Sequence, residues 1–122
     1  MRAYLLQSSA TSATTGLVAH TSGFSTAQVQ ITVPTGASPS FVVQFQRSLN
    51  GSHFVATSCL THDGALLHSG VSVTPANYAT APLLWTCTVA GAPWLRAHLT
   101  SYTGPGAVSI YATVYVLNGL VY

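Results

Sequence analysis

The residues able to do chemistry are few enough to take one at a time. Cys59, His62, Asp63 and His68 fall within ten positions, and thiolate, imidazole and carboxylate are all zinc ligands. Their spacing, Cys-x2-His followed by x5-His, lacks the repeated ligand pair with which a zinc finger closes four donors on one ion. His62 and Asp63 beside any of the many serines would make the parts list of a hydrolytic triad. The chain has no Gly-x-Ser-x-Gly elbow to present the nucleophile, and triads are defined by geometry rather than by the presence of their parts. The expectation is therefore a protein that is not an enzyme, with no metal site and no cofactor. Five histidines, His20, His53, His62, His68 and His98, are the groups that titrate between about pH 5 and 8. Protonating all of them takes the formal charge from +2 to +7, but their scatter reads as loop and surface positions.

Beyond these, charge is almost absent. Only Arg2, Arg47, Arg96 and Asp63 are charged at neutral pH, 3% of 122 residues, where an ordinary soluble domain carries about 25%. Three basic residues cannot form the footprint of a nucleic-acid binder. One carboxylate supplies neither the paired acids of a glycosidase nor a calcium cage. A membrane span needs about 20 consecutive apolar residues, and the longest run, at 111–117, is broken by Thr113. Disorder is excluded by 48% hydrophobic residues and a mean hydropathy of +0.44. Ser and Thr, about a quarter of the chain, take the place of charge. The N-terminal Tyr4-Leu5-Leu6 runs at once into Gln7-Ser8-Ser9, so no secretory h-region is expected. On that reading the chain stays where it is made and Cys59 and Cys87 are reduced thiols, with one disulfide left open.

The elements that must position these residues repeat with period two. Val29, Ile31 and Val33 alternate with Gln28, Gln30 and Thr32; Phe41, Val43 and Phe45 with Val42, Gln44 and Gln46. The same alternation sets Leu83, Trp85, Cys87 and Val89, then Leu95, Ala97 and Leu99, then Val108, Ile110, Ala112, Val114 and Val116, on one face of their strands. Turn signals fall between the runs, at Pro34-Thr35-Gly36, Asn50-Gly51, Asp63-Gly64, Ser69-Gly70, Gly91-Ala92-Pro93, Gly104-Pro105-Gly106 and Asn118-Gly119. Asn50-Gly51 predicts a type I′ hairpin, and residues 102–106 predict a second hairpin joining 95–101 to 107–117. No capped apolar stripe at helical spacing occurs. The pattern predicts an all-β, single antiparallel β-sandwich of seven to nine short strands, jelly-roll or immunoglobulin-like, over residues 27–122. Residues 1–26 are weakly patterned and read as an arm or an edge strand, with strand character near 16–19.

Six residues are candidates for an interface. Arg96 alternates with Leu95 and Ala97 and so points away from the core; Arg47 also sits on a neutral strand, and each needs a partner inside the domain or on a neighbouring subunit. Tyr111 and Tyr115 flank Thr113 on an outward stripe, which suits either cross-strand pairing or an interface. Trp94 and Tyr102 lie at the start and end of one strand, Trp94 as an aromatic cap of the sandwich and both as surfaces able to stack on sugars. Trp85 belongs to the core.

Two segments together resemble a β-sandwich pattern of tailed-bacteriophage virion proteins. The first, residues 41–54, is a strand ending in Ser48-Leu49-Asn50-Gly51 before Phe54. The second, Trp94-Leu95-Arg96-Ala97, leads to Thr100-Ser101-Tyr102-Thr103-Gly104 and a final valine-rich strand. Discoidin-like carbohydrate- or lipid-binding modules have a similar pattern; this chain has Asn50 for their Asp and Phe54 for their Trp, and is shorter. The first resemblance implies a virion structural protein made in the host cytoplasm, similar to capsid decoration (cement) proteins. Those are homo-oligomers, commonly trimers, that sit on the capsid surface and clamp the major capsid protein. A tail or baseplate accessory protein and a glycan-binding module are the alternatives it leaves. The uncharged polar surface fits burial against other protein, since hydroxyls and amides lose less on desolvation than charges do.

Overall fold

The period-two runs become strands of two stacked antiparallel sheets, and the buried positions are the ones the alternation assigns. The computed structural model describes residues 2–34, 36–57, 59–61, 67–68, 70–75 and 83–116. Among the described residues eleven strands run in chain order: β1 (Arg2–Ala10), β2 (Ala19–His20), β3 (Thr26–Thr32), β4 (Ser40–Ser48), β5 (Val55–Ala56), β6 (Cys59–Thr61), β7 (Leu67–His68), β8 (Gly70–Val73), β9 (Leu84–Thr88), β10 (Trp94–Thr103) and β11 (Val108–Tyr115). The excess over seven to nine comes from two-residue pieces, β2, β5 and β7. One sheet has the order β1-β11-β3-β9-β6-β7; the other has β2-β10-β4-β5, with β8 also paired to β4. His62, Asp63 and the turns at Asp63-Gly64 and Asn118-Gly119 lie outside the described residues.

Between the sheets lie Ala27, Val29 and Ile31 of β3, Phe41, Val43 and Phe45 of β4, Trp85 and Cys87 of β9, Leu95, Ala97 and Leu99 of β10, and Val108, Ile110, Ala112 and Val114 of β11. Phe45 and Trp85 meet across the gap with ring centroids 5.7 Å apart. Val116 departs from the pattern: it lies past the end of β11 and is exposed.

From β3 onward, successive long strands alternate between sheets. β3 passes to β4, and β9 to β10 to β11, by crossing from one layer to the other, which is the jelly-roll way of joining a sandwich. The predicted hairpin of β10 with β11 is therefore absent. β10 pairs with β4 and β2, whereas β11 pairs with β1 and β3. Residues 104–107 arch over the end of the sandwich, held by the Tyr102 hydroxyl donating to Gly106 O at 2.6 Å. The first hairpin forms, β4 pairing with β5, but not through a type I′ turn. Only Gly51 has positive φ, 78°. Asn50 instead accepts backbone N–H bonds from Ser52 and His53 on Oδ1, both at 2.9 Å, and the loop widens to residues 49–54.

The weakly patterned first 26 residues carry an edge strand of each sheet. β1 lies along β11, and β2 pairs with Trp94 and Leu95 of β10. β1 reads poorly because two register shifts, between Leu5 and Gln7 and between Gln7 and Ala10, break its period. The shift turns Gln7 into the interior, where Nε2 donates to Ala97 O at 2.7 Å and Thr14 O at 3.1 Å. Residues 14–20 then strap across the sandwich edge: Thr14 exchanges backbone bonds with Leu99, and Leu17 N donates to Leu6 O. Gly16 sits at the crossing with φ 72°, and a Cβ there would collide with Leu6 O and the Gln7 amide.

Cys59 and Cys87 face each other on β6 and β9 and are joined in a disulfide, which corrects the expectation of reduced thiols. Their Cα atoms are 4.3 Å apart, the close spacing of a non-hydrogen-bonded antiparallel pair. The sequence shows both cysteines but not that the fold sets them in register.

Two predictions follow from these contacts. Gln7→Leu keeps the volume but leaves the Ala97 carbonyl buried without its donor, and should lower the unfolding free energy by about 2–3 kcal/mol in urea titrations; a loss under about 0.5 kcal/mol contradicts the bridging role. Reduction of Cys59–Cys87, which closes a loop with a sequence separation of 28, should cost about 3–4 kcal/mol. Thiol titration of the unfolded, unreduced protein should find no free thiol, and finding two would refute the pairing.

Candidate functional site

The outer face of the β4/β10 sheet gathers most of the reactive side chains. Trp94, Arg96 and His98 of β10 lie opposite Ser48, Gln46 and Gln44 of β4 in register. Arg96 Nε donates to Gln46 Oε1 at 2.6 Å, and Gln46 Nε2 donates to Gln44 Oε1 at 2.6 Å. The Arg96 guanidinium also covers the Phe54 ring, 3.9 Å from its centroid. Its partner is thus internal. Trp94 packs against His20, centroids 4.6 Å apart with the ring planes tilted by 41°, and its indole lies against Gly51. The result is a shallow row of aromatic rings and amides bordered by one cation.

The opposite sheet presents a different face. Tyr111, 47% exposed, with Thr113 and Tyr115 of β11, lies beside Gln30, Gln28 and Thr26 of β3 in register, and Gln28 faces Thr86 of β9. Apart from Thr26, which is buried, these are hydroxyl, amide and phenol groups at or near the surface with no charge among them.

Tyr102 belongs to neither face. It stacks on Phe41 at 6.0 Å and bonds Gly106, so it holds the arch.

Arg47 is placed differently from Arg96. It pairs in register with buried Leu95 and with Val55, so its side chain leaves β4 on the inner side, at the end of the sandwich. There it lines an open cleft of about 470 Å³ with Ser48, Leu49, Val55 and residues 90–92 of the β9–β10 turn. The six candidates therefore divide over four places; Trp94 and Arg96 share a face, as do Tyr111 and Tyr115. Leu49 and Phe54 carry part of the resemblance but, like Val55, were not named as site residues: they lie in or next to the widened loop, where no alternation marks a side chain as outward.

The zinc reading loses a ligand, since disulfide-bonded Cys59 has no thiolate to give. No group of three or more His, Cys, Asp or Glu side chains able to hold a metal occurs among the described residues.

No family model matches the sequence, and no curated protein matches it. Solved structures do. The SPBc2 prophage-derived protein YomS superposes with a TM-score of 0.74 at 18% identity, over 93% of this chain and 90% of YomS. The PBSX exported protein XepA gives the same TM-score and identity over 93% of this chain, which spans only 37% of XepA. At that identity the likeness is one of fold: this chain is built on the same β-sandwich as YomS and as one part of XepA.

Proposed function

We propose that this chain is a non-catalytic structural protein of a tailed bacteriophage, a homo-oligomeric, trimeric decoration protein that binds the major capsid protein on the outer shell. The observation that carries the reading is the uncharged outer face built by β11, β3 and β9. Tyr111, Gln28, Gln30 and Thr86 offer hydrogen bonds and aromatic area with no charge to desolvate, which favours burial against protein. The edge strand β1 lies beside this face. The prophage origin of YomS agrees with a phage source, and the shared fold extends over nearly all of both chains. The Cys59–Cys87 bond fits a protein whose working place is outside the reducing cytoplasm. On the decoration reading the bond closes after the particle leaves the host.

A second reading, a glycan-binding module of the tail or baseplate, draws on the Trp94, His20 and Phe54 rings beside the Gln44, Gln46 and Arg96 hydrogen-bonding row. Aromatic faces with flanking amides suit sugar rings. A glycan array with a signal lost on Trp94→Ala would favour it.

Sedimentation analysis with capsid co-pelleting tests the decoration reading. The wild type should sediment as a closed oligomer and pellet with shells lacking it. Tyr111→Glu should shift it to monomer while keeping the far-ultraviolet circular dichroism spectrum of the wild type, as expected for a surface substitution. A strictly monomeric wild type that leaves the shells bare would sink it.

A further inference from the structure

We propose that the cleft at the end of the sandwich is a carboxylate site, receiving an acidic residue flanked by aliphatic ones on an extended segment of a partner polypeptide. Arg47 is half-buried on the inner side of β4, and it makes no hydrogen bond or ion pair among the described residues. That separates it from Arg96, which is fixed by Gln46 and Phe54. The chain contains one Asp or Glu against three basic residues, so its own side chains cannot neutralise every guanidinium. A half-buried cation without a counter-charge gains from an anion, and the planar fork of arginine matches a carboxylate at two points.

The rest of the cleft selects what the carboxylate is attached to. The loop's polar atoms are spent on one another. Ser48 Oγ accepts from Gly51 N at 2.9 Å and donates to Asn50 Oδ1 at 3.1 Å, and Asn50 Nδ2 meets His53 Nδ1 at 3.2 Å. This leaves Arg47 as the anchor, and Leu49, Val55, Ala90 and Ala92 as walls. Leu49 is 77% and Val55 61% exposed, so apolar surface continues past the mouth of the cleft onto its rim. A small enclosed ligand would leave that rim in water; a chain segment with an aliphatic neighbour on each side of its acid covers it. A cleft of about 470 Å³ with one arginine, bordered also by Asn50 and His53, has the size and character of a ligand site. The inference does not depend on the virion reading.

The test is a titration of the ¹⁵N-labelled full chain with acetyl-Leu-Glu-Val-amide, following the amide signals of Leu49, Val55, Gly91 and Ala92. These should move together with millimolar affinity, and acetyl-Leu-Gln-Val-amide should bind at least five-fold more weakly. Arg47→Gln should erase that preference. Val55→Glu, which sets a carboxylate of the chain's own opposite Arg47, should block the Glu peptide without touching Arg47 itself. Equal shifts with both peptides, or no shifts at all, overturn the proposal. So does unchanged binding in both variants. Hexanoate binding ten-fold more tightly than the Glu peptide would reassign the cleft to a free aliphatic acid and overturn the peptide reading. Asp63→Asn tightening the Glu peptide several-fold would mean that the chain's own acid fills the site, and would overturn it too.

Discussion

One buried amide ties the two layers together. Gln7 enters the interior from the edge of one sheet and bonds the backbone of β10 in the other and of the strap that closes the sandwich edge. A polar side chain in that position is stable only with its donors placed, and the surroundings show what placing them requires. The irregular register of β1 aims the side chain inward, Gly16 leaves room for it, and the Thr14–Leu99 bridge brings the acceptor within reach. Tyr4 extends the same seam by donating to His20 O at 2.6 Å. The aromatic pair His20–Trp94 on the outer face then stands on a strand that this seam holds in place.

Scarcity of charge sets the chemistry of everything else. Buried Gln7 and Thr21 are satisfied by neutral backbone carbonyls, as where Thr21 Oγ1 donates to Ala92 O at 2.7 Å. Bonds between neutral groups are not screened by salt as ion pairs are. Each arginine then stands out by how it is treated. Arg96 is absorbed into an amide and aromatic row that any strand pair can build, whereas Arg47 is set at an opening, with no hydrogen bond or ion pair among the described residues. Two residues of the same type on adjacent strands thus play unlike parts, because paired alternation puts one outside the sheet and the other at the end of its inner face.

The core was legible in the sequence wherever a strand is regular. The inward sets of β3, β4, β9 and β10 follow from alternation alone, as does the outward direction of Arg96. What alternation cannot carry is which strand lies beside which. Residues 95–101 and 107–117 look like hairpin partners because they are neighbours in the chain, yet each is claimed by distant strands in a different layer. The disulfide was hidden for the same reason, since Cys59 and Cys87 meet only once β6 and β9 are paired. β1 was obscured by its bulges, and Arg47 was seen as a lone cation but not as part of a cleft, because the cleft is assembled from the β4–β5 loop and the turn that crosses from β9 to β10, which are distant in sequence.

The alternation of layers also governs when the chain can fold during synthesis. β1, among the earliest residues made, has its partner in β11, and β3 lies between β11 and β9. The sheet that holds β1 and β3 is not complete until β11, Val108–Tyr115, has left the ribosome, and the other sheet waits for β10. Until then the chain exposes apolar strand faces and unpaired edges, and it has almost no like-charge repulsion to keep copies apart. Closing contacts so distant in sequence is slow. The neutral surface that suits a finished assembly is thus a hazard for the nascent one, and the interval before β11 arrives is when this domain is most exposed to pairing with its own copies in the wrong way.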